Sequence, residues 1–320
     1  MLNFTDKKIS IIIPTLNASK YIGELLNSLI RQTVLPSEII IIDSSSEDDT
    51  EKICRNFALV KFISIERQAF DHGRTRAMAA EMAIGEYLLF ITQDAIPANE
   101  NYIESILQPF LEDDNVSMVT GRQCPRDDSR CSERLTRTYN YPGKSYLRTK
   151  KDISTYGIKT FFSSNVCAAY KKICYEAIGG FDYPLPSGED IIIAAKFIYA
   201  GYSVVYKAEA QVIHSHNYTL WQQFTRNFDA GVYLALYGKY FKNVKLNLEG
   251  LKMVNYVLRE LIREGQISEG IYYVCECIVK FMGNKLGMKY KFLPYFFVKK
   301  CSMNKNYWKG MTGNEKNLRD

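Results

Sequence analysis

Residues 9–17 read Ile9-Ser10-Ile11-Ile12-Ile13-Pro14-Thr15-Leu16-Asn17. An apolar run of this length, closed by proline and polar side chains, marks a strand buried on both faces of a parallel sheet. The next eighty residues make that strand the first of a repeating unit. Tyr21, Ile22, Leu25, Leu26, Leu29 and Ile30 recur at helical spacing. Residues 39–42 are a second isoleucine run, ending at Asp43. Ser44-Ser45-Ser46-Glu47-Asp48-Asp49 then sets acids in a first helical turn, which predicts a helix over residues 48–57. Residues 60–65 read as a third strand and 74–84 as a small-residue helix. Residues 87–91 read as a fourth strand, ending in Thr92-Gln93-Asp94. Such repetition predicts an α/β fold with a Rossmann-like, mostly parallel sheet flanked by helices. Ligands in these sheets bind beyond the carboxyl ends of the strands. Thr15 with Asn17, Asp43, and Gln93 with Asp94 are therefore expected around one crevice.

Residues 122–160 are polar, basic and tyrosine-rich, as expected of an excursion over the active face. Strand character returns over 161–170. Residues 191–200 read as an apolar helix closed by Gly201, 204–206 and 211–213 as two short strands, and 220–236 as a helix. Beyond Lys239 the pattern is helical without strand alternation. Two units are therefore expected: a catalytic domain over 1–238 and a helical, basic and aromatic region over 239–320. The hydrophobic fraction, 47%, fits a globular chain with a full core. A net charge of +6, with no recognition helix or aromatic sheet pattern, gives no reason to expect nucleic acid. Residues 1–8 are polar and do not read as a secretory leader, and no apolar run is long enough to span a bilayer. The eight cysteines lack zinc-site spacing and read as reduced thiols of a cytosolic protein.

Four groups could carry chemistry. Asp94, at the end of a buried strand, could share magnesium or manganese with a diphosphate, or simply cap a turn. Asp190, in Pro186-Ser187-Gly188-Glu189-Asp190 ahead of an apolar helix, could be a general base or could complement the helix dipole. His214 and His216, two apart on an extended chain, share a face. They suit a metal ligand plus a substrate contact, or a hydrogen-bonded surface pair. Phe70-Asp71-His72-Gly73-Arg74-Thr75-Arg76 sets two arginines at a helix start, where they suit a phosphate or point to solvent.

Order and spacing add what single residues lack. Ile13-Pro14-Thr15-Leu16-Asn17, Ile42-Asp43-Ser44-Ser45-Ser46-Glu47-Asp48, Gly85-Glu86-Tyr87-Leu88-Leu89-Phe90 leading to Asp94, Gly179-Gly180-Phe181-Asp182 and Gly188-Glu189-Asp190 follow one another over residues 8–235. The sequence resembles the family 2 glycosyltransferases of the GT-A fold. Within them it is most similar to bacterial rhamnosyltransferases of surface polysaccharide (O-antigen or capsule) assembly. That similarity lies in residues 70–76, Thr92-Gln93-Asp94-Ala95-Ile96-Pro97, Gly121-Arg122-Gln123, Gly157-Ile158-Lys159-Thr160, His214-Ser215-His216 and residues 224–232.

The resemblance implies roles. Pro14, Thr15 and Asn17 would line the nucleotide pocket, and Asp43 would accept a hydrogen bond from a pyrimidine. Arg76 would stand where the family has Arg-Asn, with Ala77 in place of the asparagine. Gln93 and Asp94 would approach ribose and metal. Thr92-Gln93-Asp94 replaces the usual Asp-x-Asp, so Asp94 aligns with its second aspartate. His214 would complete the metal site for Mg2+ or Mn2+. Asp190 would be the catalytic base, Gly180, Phe181, Asp182 and Glu189 would shape the sugar and acceptor pocket, and Arg226 would reach the diphosphate. The implied reaction is inverting transfer from dTDP-β-L-rhamnose to a glycan hydroxyl on a polyprenyl diphosphate lipid. A UDP- or GDP-sugar is the alternative donor.

Residues 281–313 contain no acid. Seven lysines there alternate with Phe281, Tyr290, Phe292, Tyr295, Phe296, Phe297, Tyr307 and Trp308, a mixture suited to an anionic membrane surface. The expected location is the cytoplasm, peripheral on the inner face of the cell membrane. The other reading is a tail packing its aromatics on the catalytic domain. A nucleotidyltransferase is disfavoured because Pro14-Thr15-Leu16-Asn17-Ala18-Ser19 lacks a glycine-rich basic loop. A non-catalytic glycan-binding scaffold has only the missing first aspartate in its favour.

Overall fold

The computed structural model describes residue 4, residues 6–241, residue 244 and residues 249–309. The first residues of the polar N-terminus and residues 310–313 of the basic aromatic stretch lie outside the described residues. The strands are β1 (Ile9–Thr15), β2 (Glu38–Asp43), β3 (Val60–Ser64), β4 (Tyr87–Ile91), β5 (Ile96–Pro97), β6 (Val116–Cys124), β7 (Tyr146–Arg148), β8 (Cys167–Lys171) and β9 (Ser203–Ile213). The helices are α1 (Ile22–Leu29), α2 (Thr50–Cys54), α3 (His72–Met82), α4 (Tyr102–Glu112), α5 (Cys131–Asn140), α6 (Ile153–Tyr156), α7 (Lys172–Ala177), α8 (Glu189–Tyr199), α9 (Leu220–Leu236), α10 (Gly238–Phe241), α11 (Glu249–Arg263), α12 (Ile267–Met288), α13 (Tyr295–Cys301) and α14 (Lys305–Lys309).

One sheet has the order β3-β2-β1-β4-β8-β6-β9-β5, with β7 also on β9. It is parallel from β3 to β4 and mixed beyond. The change comes at β8, which runs antiparallel between β4 and β6 because the chain enters it from the crevice end: Cys167 pairs with Ile91, the last residue of β4. Alternation along the strands feeds two core layers. Ile11, Ile13, Ile39, Ile41, Leu89 and Ile91 pack with Leu25, Leu26 and Ile106 on one face. Ile12, Ile40, Ile42, Leu88 and Phe90 pack with Ala79, Ala80, Ile193 and Phe197 on the other. Truncating a fully buried leucine such as Leu26 to alanine would cost about 2–5 kcal/mol.

Residues 203–213 form one strand in place of the two short ones expected. The β6 register jumps from Gly121 opposite Lys207 to Arg122 opposite Gln211, so residues 208–210 bulge. Gly121 lies under that bulge, where a Cβ would sit 2.4 Å from the Ala210 carbonyl oxygen. The excursion over residues 122–160 contains α5, which packs Leu135 against Val257, Leu261 and Tyr273.

Helix α12 crosses α9 at very short range. A Cβ on Gly283 would lie 2.3 Å from the Phe224 carbonyl oxygen, and one on Gly287 2.0 Å from that of Phe228. Residues 290–308 then fold back so that Tyr290, Val298, Cys301, Tyr307 and Trp308 bury against Phe228 and Val232. Asp229 on α9 holds this return by accepting from the backbone N–H groups of Met303 and Asn304, at 2.9 and 3.0 Å. Among the described residues no helix is long and apolar enough to cross a membrane.

Candidate active site

The loops at the carboxyl ends of β1, β2 and β4 are laced together. Asp43 accepts from Thr15 Oγ1 at 2.8 Å, and from the Ser46 hydroxyl and backbone N–H at 2.6 and 2.7 Å. Asn17, in the left-handed conformation that asparagine tolerates (φ 49°), accepts from the Glu47 N–H at 2.9 Å. Gln93 makes a two-point clasp to the backbone of Leu16, accepting at 2.8 Å and donating at 3.1 Å. Pro14 pairs with Ile42 in the sheet, beside Thr15 and Asp43. These side chains thus fix the crevice floor, and Asp43 and Thr15 are buried beneath it.

Asp94 meets the histidine pair because β5 pairs antiparallel with the end of β9, Ile96 opposite Ile213. Asp94 just before β5 and His214 just after β9 must then face each other. Asp94 Oδ2 lies 3.6 Å from His214 Nε2 and 3.3 Å from His216 Nε2. One potential ligand atom from each of the three residues falls within a 4.8 Å cluster. Arg126 donates to the Asp94 carbonyl oxygen and stacks over Tyr21.

Gln123 sets the chemistry of His214. Its amide oxygen accepts from Arg137 and lies 3.1 Å from His214 Nδ1. A guanidinium has no acceptor, so the amide presents its oxygen there, and that oxygen, nearer to Nδ1 than Arg137 Nη1 at 3.3 Å, favours the tautomer with the proton on Nδ1. Nε2 is then a bare lone pair facing the carboxylate. Burial first, then Arg137, His216, Arg226 and Arg126, push the His214 pKa well below its ordinary value, so the ring is neutral. Burial likewise lowers His216, against the pull of Asp94. Two neutral imidazoles around one carboxylate form the donor set of a borderline or hard divalent cation. Manganese fits these residues better than magnesium, which prefers oxygen ligands throughout.

Asp190 stands at the first turn of α8, beside Asn165 just ahead of β8. It accepts from the N–H groups of Ile191 at 2.8 Å and Asn165 at 3.3 Å. Since β8 begins opposite the end of β4, Asp190 and Asp94 lie at the same end of the central strands. Burial, then the charge of Glu189, push the Asp190 carboxyl up to about 7. For Glu189 burial is also the largest influence, but Arg76, His72 and Asn165 outweigh it and hold the carboxyl below the usual range. Arg76 lies 3.3 Å from Glu189 and donates to the His72 carbonyl oxygen, both side chains being buried. The structure therefore spends Arg76 on keeping Glu189 ionised, and Glu189 keeps Asp190 basic. A carboxylate poised near neutrality is what proton abstraction from a hydroxyl needs.

Around this pair, Asp182 and the Gly180 carbonyl oxygen are held by Lys196, each at 2.7 Å. Phe181 is a core side chain, packed edge-on to Phe90, Tyr170 and Tyr175. Arg226 projects exposed from α9 over the Tyr218 ring at 5.2 Å, and the Tyr218 ring lies tilted against His216, 4.9 Å between centroids. Its charge depresses His72, His214 and His216 together, so it looks onto both halves of the site.

Residues 10–179 match the family model "Glycosyl transferase family 2". The chain belongs to that family. This glycosyltransferase is 35% identical over 307 residues to the O-antigen chain rhamnosyltransferase RfbN of Salmonella typhimurium, covering 94% of this chain and 96% of the other. It is 38% identical to the O-antigen chain rhamnosyltransferase WbaN of Salmonella anatum, covering 93% and 95%. The mannosyltransferase PcManGT of Pyrobaculum calidifontis, solved with GDP-Man and Mn2+, shares the fold with a TM-score of 0.56 at 15% identity, over 98% of this chain and 88% of that one.

Sequence alone does not single out Asn165, Gln123, Arg126 and Arg137 as parts of the site, although Gln123 lies in the Gly121-Arg122-Gln123 stretch on which the resemblance rests. For His216 it suggests a substrate contact beside a metal ligand, and in the structure the side chain stands within ligand range itself.

Proposed function

We propose that this glycosyltransferase moves L-rhamnose from dTDP-β-L-rhamnose to a hydroxyl of a growing surface glycan, with inversion. The observation that carries the sugar assignment is the end-to-end similarity to two proteins named as O-antigen chain rhamnosyltransferases. Asp190 takes the acceptor proton as the hydroxyl attacks the anomeric carbon, and dTDP leaves from the opposite face. Arg76 keeps Glu189 ionised, and the Glu189 charge makes the Asp190 carboxylate a stronger base. The laced loops carrying Pro14, Thr15, Asn17, Asp43 and Gln93 seat the nucleotide, and Arg226 contacts the diphosphate. Gly180 and Asp182 bound the sugar. Asp94, His214 and His216 would hold Mg2+ or Mn2+, which when bound neutralises charge on the diphosphate.

The acceptor is a glycan on a polyprenyl diphosphate lipid. The protein accordingly works in the cytoplasm, peripheral on the inner face of the membrane, with residues 1–238 as catalytic unit and 239–320 as the unit serving the membrane. Thermal-shift and product-release assays with dTDP-rhamnose, UDP-sugars and GDP-sugars, with and without Mn2+, test the donor. Stabilisation and dTDP release with dTDP-rhamnose alone are expected. Preference for a UDP- or GDP-sugar overturns the assignment.

A further inference from the structure

The side of α12 turned away from the protein is apolar. Ile267, Ile271, Val274, Ile278 and Phe281 recur in steps of four and three residues, and all are 41–65% exposed. The opposite side of the helix, at Tyr273, Glu276, Gly283 and Gly287, is buried. A helix covered on one face normally offers charge to water on the other. Here the water-facing line is β-branched and aromatic for about 21 Å, at 1.5 Å per residue. Beyond its end, Phe292 and Phe296 are 87% and 73% exposed. A contiguous apolar surface of this kind marks an interaction site.

Charge selects the occupant. Between Cys277 and Lys309 there is no Asp or Glu, and Lys285, Lys289, Lys291, Lys299 and Lys300 fall among the exposed rings. Over residues 278–309 every charge is positive, which complements an anionic leaflet and disfavours a second copy of itself.

We propose that α12 lies in the headgroup region of an anionic bilayer, inserting its Ile267–Phe281 stripe together with Phe292 and Phe296. This rests on the membrane part of the function proposed above and assigns it a surface. It also divides the C-terminal aromatics: Tyr290, Tyr307 and Trp308 are spent on the packing against α9 and do not meet lipid. Because Gly283 and Gly287 bring α12 against the backbone of α9, and α9 carries Arg226, the docked helix sets the orientation of the cleft relative to the membrane.

The test uses the full chain and vesicles of phosphatidylethanolamine with phosphatidylglycerol, read by co-sedimentation. Wild type is expected to bind, more weakly at high salt or on phosphatidylcholine alone. The double variant Ile271→Glu/Ile278→Glu, and separately Phe292→Glu/Phe296→Glu, should each lose about tenfold or more in partition. All four positions are exposed, so the variants should melt like wild type. Rhamnosyl transfer to a water-soluble acceptor is measured alongside, so that absent transfer counts against the function while the vesicle result stands by itself. Wild type that ignores anionic vesicles overturns the proposal, as does undiminished binding by the variants. A wild-type dimer that the Ile271→Glu/Ile278→Glu variant splits, with vesicle binding unchanged, also overturns it and makes the stripe a subunit interface.

Discussion

Replacing Gln123 by leucine should weaken cation binding without removing a ligand. The amide oxygen is the acceptor that keeps the His214 proton on Nδ1. Leucine removes that acceptor while roughly preserving volume. Arg137 Nη1 already lies 3.3 Å from Nδ1 and can only donate. With Gln123 gone it favours the other tautomer, which puts a hydrogen on Nε2 and points it at Asp94. His214 then donates a hydrogen bond to the carboxylate where it should offer a lone pair. Losing a partner of this kind costs roughly 10- to 100-fold in metal affinity, or about 1.4–2.7 kcal/mol. The assay is Mn2+ titration by electron paramagnetic resonance of the free ion, with dTDP present, on wild type, Gln123→Leu and Gln123→Glu. The glutamate keeps an acceptor and should lose less. Wild-type Mn2+ affinity in Gln123→Leu would refute the tautomer argument.

Asp190→Asn should lower kcat by roughly 10²- to 10⁴-fold with donor affinity by calorimetry nearly unchanged; near-normal turnover would remove Asp190 as the base. Because its carboxyl is raised to about 7, wild-type transfer should climb with pH through that value, and a flat profile there would contradict it. The same shift has a stability consequence. A group raised on folding stabilises below its unfolded pKa and loses that contribution as pH rises through the folded value. Asp190→Asn should therefore melt above wild type at pH higher than about 7 and converge with it at low pH; a constant difference in melting temperature would argue against burial as the cause. Gly188, at φ 85° with the Tyr233 ring 2.4 Å from any added Cβ, should not accept alanine. About 1–3 kcal/mol of stability and most activity should be lost, and an unchanged melting curve would show the α8 entry to be pliable. Finally, dTDP should tighten Mn2+ binding and Mn2+ should tighten dTDP binding by the same factor; independent affinities would contradict a shared site.

The parallel half of the sheet is legible in the sequence because buried parallel strands advertise themselves. The isoleucine runs of β1 and β2 sit within one or two residues of where the pattern sets them, as do α3 and α9. The excursion over residues 122–160 is not. Cys131-Ser132-Glu133-Arg134-Leu135-Thr136-Arg137-Thr138-Tyr139-Asn140 is nearly all polar, and its helix is held by tertiary partners such as Glu269, which accepts from Ser132 at 2.6 Å. Periodicity cannot report a partner 137 residues away. The same limit hides the site's supports. Asp94 and Asp190 are visible as carboxylates at element ends, but Gln123, Asn165 and Arg137 matter only because β6, β8 and α5 converge on them. Arg76 illustrates the opposite case. Its position at a helix start suggests a phosphate, whereas burial against Glu189 gives it an internal counter-charge. The tail aromatics divide for a similar reason: only the packed structure distinguishes Trp308, buried on α9, from Phe292, exposed.

Charge explains why donor and cation are expected to arrive together. Asp94 with two neutral imidazoles carries one negative charge, so a divalent ion there leaves an excess of one positive charge. Arg137, Arg226 and Arg126 are close enough to depress His214. Arg137 is offset by Glu133 at 2.7 Å, but Arg226 has no carboxylate partner within salt-bridge range among the described residues. At the short separations of a half-buried cleft, unlike those in bulk water, such an excess is costly. A diphosphate supplies the missing negative charge and oxygen ligands. The Thr92-Gln93-Asp94 sequence sharpens this point. Where the family has a first aspartate this chain has Thr92, while Gln93 is engaged by the backbone of Leu16. The protein's negative charge at the site is therefore one smaller, and His216 stands within ligand range as a further neutral group. The departure from Asp-x-Asp thus leaves a donor set of Asp94, His214 and His216, and a cation held there would depend on the nucleotide for charge balance.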